Sequence, residues 1–149
     1  MLNKLWKGAK DAAQDLKTSA LQFKNKKFMN AMAAGSVLIA RADGDISSQE
    51  KSKMMRMIGS NEALSVFDTE AVIKVFNEYL GYFEFDADVG QTKAYEALNT
   101  IRGDDVQCRT LMRMIIAIAE SDGDFDSSEK IIAKKIAVEI GVVAADFEL

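Results

Sequence analysis

The chain of 149 residues has no proline, no histidine and a single cysteine, and it lacks any long apolar run. Each absence excludes something. With no proline, nothing breaks a helix by removing an amide donor, and the alanine, methionine and lysine content suits helices throughout. Lone Cys108 rules out an internal disulfide and fits a reducing cytosol. With no histidine and one thiol, a zinc or thiolate centre is poorly supported. No apolar stretch approaches the roughly 18–20 residues that a membrane-spanning helix needs. Met1–Lys10 also lacks the apolar core of a secretory leader, so a cytoplasmic protein is expected.

What is present is ordinary in bulk and uneven in distribution. Hydrophobic residues make up 48% and charged residues 28%, which excludes wholesale disorder and fits one domain with a single core. The net charge of −4 conceals a basic start on an acidic body: residues 1–27 carry seven lysines against Asp11 and Asp15, and the remainder is net −9. An acidic body argues against nucleic acid as a partner. Leu2, Leu5, Trp6, Ala9, Ala12, Ala13, Leu16 and Ala20 share one helical face, flanked by Lys4, Lys7, Lys10 and Lys17. Residues 1–22 therefore read as a basic amphipathic arm suited to a membrane surface or a partner groove, or to packing on the body with its lysines solvated. Residues 23–149 read as the helical domain.

Glycines punctuate that domain. Gly44, Gly59, Gly81, Gly103, Gly123 and Gly141 each follow an apolar-periodic run, where a left-handed glycine ends a helix. The expected helices lie near 26–42, 48–58, 69–80, 88–101, 105–121 and 127–140, with a short turn at 144–148. Asp68 and Asp104 are expected N-caps, and Gly35 a point of close helix packing. Phe83–Val89 alternates with period two and reads as an extended connection, apolar side inward, with Glu84, Asp86 and Asp88 on the solvated side. The fold expected is all-α, of about seven helices.

One stretch recurs. Ala42-Asp43-Gly44-Asp45-Ile46-Ser47-Ser48-Gln49-Glu50-Lys51 is matched, 79 residues on, by Ser121-Asp122-Gly123-Asp124-Phe125-Asp126-Ser127-Ser128-Glu129-Lys130. Both copies follow an apolar helical run, so the chain carries two helix–acidic turn–helix units, expected to be related by a pseudo-twofold. The spacing is not that of an EF-hand loop, whose glycine stands sixth and whose glutamate stands twelfth. Capping boxes at Ser47–Glu50 and Asp126–Glu129 account for the glutamates by folding alone. Asp45 and Asp124 sit ahead of a helix N-terminus, where negative charge is favoured. Asp43 and Asp122 meet the negative pole of the preceding helix instead, which costs a few tenths of a kcal/mol. An Asx-type turn offsets that cost, and a hard cation on carboxylate and carbonyl oxygens offsets it better. Candidate metal ligands are thus Asp43, Asp45, Glu50, Asp122, Asp124 and Glu129, for calcium first and magnesium or manganese next. Six carboxylates on one ion would repel strongly, so a shared site favours Asp43, Asp122 and the two glutamates.

Other residues carry less. Cys108 shares a helical stripe with Leu111, Met112, Ile115, Ile118 and Ala119, which makes it a core residue rather than a nucleophile. Met54, Met55, Met57, Met112 and Met114 fall on apolar stretches and read as core.

The two acidic turns, the stretch Leu64-Ser65-Val66-Phe67-Asp68-Thr69-Glu70-Ala71-Val72-Ile73, the segment Phe83-Glu84-Phe85-Asp86, the ending Ala145-Asp146-Phe147 and the opening Phe23-Lys24-Asn25-Lys26-Lys27-Phe28 together resemble the bacterial tellurite-resistance family TerB. The resemblance covers about Phe23 to Leu149. It implies an all-helical TerB-like fold and a role in the stress system for tellurite, phage and colicin resistance. It further implies a cation site at the turns, matched by position at Asp43, Glu50, Asp122 and Glu129. The partners it implies are a TerC-type integral membrane protein at the inner membrane and TerD-type calcium-binding proteins.

The reading that follows is a non-enzymatic accessory protein that binds a divalent cation and docks on membrane-associated partners. A helical adaptor whose turns are only caps is one alternative, and a calcium sensor that repacks its helices on binding is another. Reduction of tellurite by the chain itself would need accessible thiols, a flavin or a redox metal, none of which Cys108 supplies.

Overall fold

Ala31 to Ile39 is an unbroken run of buried residues, and a helix apolar on every face has to lie inside the protein. In the computed structural model, which describes Gln14, residues 25–121 and residues 125–149, this run belongs to α1 (Lys26–Ala40). Asn25 starts α1 by accepting the Phe28 amide at 2.9 Å. Around it pack α3 (Thr69–Phe85), α4 (Ala87–Asn99), α5 (Asp105–Glu120) and α6 (Ser127–Ile140), while α2 (Ser48–Ser60) leans on α3. Short 3-10 turns at Glu62–Leu64 and Ala144–Phe147 complete the path. The fold is all-α, with six α-helices and no strand among the described residues. The arm expected over 1–22 lies, apart from Gln14, outside the described residues.

Small residues let α1 sit at the centre. A Cβ on Gly35 would lie 3.3 Å from Ile115 Cδ1 and 3.6 Å from Leu98 Cδ2, so α5 and α4 both close on this point. Phe28, Met32, Phe76, Leu98, Leu111, Met112, Met114, Ile115 and Ile136 are sealed from solvent around it. Cys108 is 1% exposed and its thiol donates to the Ile101 carbonyl at 3.3 Å. Gly35 and Cys108 therefore occupy the roles that their sequence neighbours suggest.

The helix ends follow the capping signals in part. Gly44, Gly103 and Gly141 have positive φ and close α1, the 100–103 turn and α6. Asp104 accepts the Gln107 amide at 3.1 Å, whereas Asp68 stands at an N-cap position without a side-chain capping bond. Gly59 and Gly81 end nothing, because α2 runs on to Ser60 and α3 to Phe85.

The extended connection expected at Phe83–Val89 is corrected here. Only Asp86 is extended (φ −167°, ψ 132°), and its carboxylate caps α4 by accepting the Asp88 and Val89 amides at 2.9 and 3.1 Å. Phe83 is buried but Phe85 is 81% exposed, so the period-two pattern does not mark one inward face. Glu84 lies on α3 and pairs with Lys51 of α2. Helix α3 continues because Phe83 fills the wedge against α4, where a Cβ on Gly90 would stand 2.4 Å from the Phe83 ring and 2.8 Å from its Cα.

That contact predicts opposite effects at two helical glycines. Gly90→Ala should lose about 1–3 kcal/mol, since the backbone of Phe83 has no room to yield. Gly81→Ala, with nothing within 4 Å of the new methyl group, should gain about 0.5–1 kcal/mol from helix propensity alone. Urea unfolding midpoints of the two variants decide both signs.

Candidate functional site

The described flanks of the two acidic turns lie at one end of the molecule, because the helices that feed them, α1 and α5, pack side by side. A cavity of about 250 Å³ opens there, lined by Ser36, Ile39 and Ala40 of α1 and by Ile115, Ile118 and Ala119 of α5. Each α1 residue has its counterpart 79 residues later on α5, the offset that separates the turns. Met54 and Met57 of α2 form another wall, and the Ser121 hydroxyl, which donates to the Ile118 carbonyl at 2.6 Å, lies 3.6 Å from Met57 Sδ.

The rim is acidic. Asp43, Glu50, Asp126 and Glu129 line the cavity, with Lys53 the basic residue among them. Both glutamates also serve capping boxes. The Glu50 amide donates to Ser47 Oγ at 3.1 Å while the Ser47 amide donates to Glu50 Oε1 at 3.2 Å. In the second unit the Glu129 amide donates to Asp126 Oδ1 at 2.9 Å and the Asp126 amide to Glu129 Oε1 at 3.3 Å. Capping thus engages one oxygen of each glutamate and holds its carboxylate at the cavity mouth.

The remaining predicted ligands divide. Asp43 lies two residues beyond the C-cap of α1, Arg41, and faces the cavity. Asp45 is set apart from it: its Oδ1 pairs with Arg41 at 3.0 Å, and the Arg41 guanidinium stacks 4.3 Å over the Phe83 ring. Asp122 and Asp124 lie outside the described residues. Among the described residues, no three His, Cys, Asp or Glu side chains stand close enough together to hold a metal ion. The acidic donors at the rim, among the described residues, are the carboxylates of Asp43, Glu50, Asp126 and Glu129.

Two residues at the cavity carry roles that sequence reading assigned only to folding or not at all. Asp126 was legible as a cap, but it also stands at the rim. The Ser128 hydroxyl at 2.7 Å, and then the Glu129 amide, hold its carboxyl below the usual aspartate value. Ser36 is the other. It is 4% exposed, its hydroxyl has no hydrogen-bond partner among the described residues, and it lines the cavity. A serine inside an otherwise apolar helical run was the available signal.

Comparison with known proteins places this architecture. The profile of the family described as "Tellurite resistance protein TerB" matches residues 29–149. The chain belongs to the TerB family. A curated relative, "Tellurium resistance protein TerB" of Alcaligenes sp, is 33% identical over 101 residues, covering 68% of this chain and 83% of that protein. No solved structure matches. The TerB match begins inside α1 and spans both acidic turns, so the cavity lies wholly within the family domain.

Two outcomes follow from the geometry. Ser36→Ala should raise stability by about 1–3 kcal/mol in urea unfolding, because it removes a buried hydroxyl that no described residue satisfies. Asp126 should titrate below an ordinary aspartate in carboxyl-detected NMR. Its folded value is depressed, so the α6 cap is fully effective at neutral pH and is lost as the pH falls through that lowered value. Asp126→Asn should remove this acid-side step.

Proposed function

We propose that this chain is a non-enzymatic accessory protein of a tellurite-resistance and stress system, in which the two acidic turns together bind a divalent cation. The observation that carries the reading is the convergence of both turns on one cavity whose rim holds Asp43, Glu50, Asp126 and Glu129. Carboxylates at the mouth of a partly enclosed site see less screening than on open surface, and hard oxygen donors favour calcium, with magnesium or manganese next. Asp122, the repeat mate of Asp43, completes the ligand set in this reading. Bound cation would neutralise the charge that Asp43 places against the negative pole of α1.

A non-enzymatic role is supported by Cys108. Burial pushes its thiol upward, with Asp104 and Asp105 adding to the effect, so it stays protonated and enclosed. Redox chemistry on tellurite calls for the opposite environment. No helix among the described residues is long and apolar enough to cross a membrane. Attachment to an inner membrane is therefore assigned to partners, a TerC-type membrane protein and TerD-type calcium-binding proteins, with the basic arm over 1–22 as a peripheral contact from the cytoplasmic side.

Calorimetry and amide shifts on titration with calcium test the proposal. Saturable binding is expected, with shifts centred on Asp43, Glu50, Asp122 and Glu129, and Asp43→Asn should weaken it about tenfold or more. Absence of any response at Asp43 and Asp122 at millimolar calcium and magnesium would leave the turns as caps alone.

A further inference from the structure

We infer that the cavity beneath the turns is a binding site for a small aliphatic cation that carries a neutral hydrogen-bonding group at its far end. The inference goes beyond metal binding at the rim and stands on the floor of the cavity. Eight of its fourteen described lining residues are apolar, among them Ile39, Ile115, Ile118 and Met54. A bare ion touches none of that surface and occupies a small part of about 250 Å³. A buried water needs two to four polar partners, and one side chain of the floor among the described residues is polar.

That one is Ser36. Serine in a helix commonly donates back to a carbonyl one turn earlier, yet the Ser36 hydroxyl makes no such bond and is sealed from bulk solvent. A buried polar group without a partner is uncommon in native proteins and calls for a specific explanation. A ligand atom that accepts from or donates to the hydroxyl supplies it. At the other end, Asp43, Glu50, Asp126 and Glu129 stand with Lys53, a formal charge of −3 among the described residues of the mouth. The three features read in order of depth: a cation at the rim, an aliphatic stem along the isoleucines, and a hydrogen-bonding atom at the base. Ser36 and Asp43 are seven residues apart, and α1 ends at Ala40, so about 6 Å of helical rise and a three-residue turn lie between them. A linear chain of roughly six carbons is commensurate with that separation.

The probe is aminohexanol, with ammonium and hydroxyl at opposite ends of a hexane chain, against hexylamine and hexanol, which each lack one end. Titrations use the full chain in EDTA and read amide and methyl shifts. The result expected is saturable binding of aminohexanol, with shifts at Ser36, Ile115 and Ile118. Hexanol should bind about tenfold more weakly or worse. Ser36→Ala should cost aminohexanol about fivefold and leave hexylamine unchanged. Ala119→Leu, which fills the cavity, should abolish floor shifts with all three probes, and Ser36→Ala decides if that variant does not fold. Shifts confined to rim residues, or equal affinity of wild type and Ser36→Ala for aminohexanol, would overturn the inference. Because EDTA removes divalent ions, its failure and the failure of calcium binding are separate results.

Discussion

Burial of α1 on every face is the constraint from which the rest of the structure follows. Between Ala31 and Ile39 the helix has no side that water reaches, so it must be enclosed by several neighbours at once rather than laid on a surface. Alanine and glycine make up much of this run, and they permit close approach from α4 and α5 at Gly35. Interiors are packed to crystal-like density, so that approach also fixes the register between helices. With Gly35 locked against Ile115, the ends of α1 and α5 arrive together. Asp43 and Glu50 of one unit and Asp126 and Glu129 of the other line one cavity as a consequence of packing several residues away from them.

Electrostatics at that end is a meeting of helix poles. The C-termini of α1 and α5 bring partial negative charge, and the N-termini of α2 and α6 bring partial positive charge. The capping boxes at Ser47–Glu50 and Asp126–Glu129 answer the positive poles. Arg41 answers a negative one and neutralises Asp45 at the same time. Asp43 is the carboxylate left beside a like-signed pole, and it is also the one turned toward the cavity. The local rules of helix capping thus explain most of the charges at this end of the molecule and stop at that residue.

The sequence made the helices legible because periodicity and caps are local. Asn25, Asp104, Asp126 and Gly141 act through atoms within four residues of themselves. What it did not show depends on distant partners. Gly81 carries the same local signal as Gly103, yet α3 runs through it because Phe83 has a place to pack against Gly90 of the next helix. Asp86 looked like one tooth of an alternating strand, and only the turn between α3 and α4 reveals it as a cap. The same limit governs the site. The repeat announced two similar turns, but whether they meet depends on α1 being central, which no single stretch states.

The internal repeat also separates what folding asks for from what it does not. At the cavity, Ile39 and Ile118, Ala40 and Ala119, and Glu50 and Glu129 are identical pairs. Packing and capping account for all three. Ser47 and Asp126 differ in charge but perform the same N-cap bond. Ser36 and Ile115 do not share a task. An isoleucine at the α5 position seals the core at zero exposure, whereas the α1 position holds a hydroxyl with no partner. Folding alone favours an apolar residue there, by transfer energy and by avoidance of an unsatisfied polar group. A position that breaks the rule its repeat mate obeys, and that opens on the same cavity as Asp43, is where local stability has been given up without a local return.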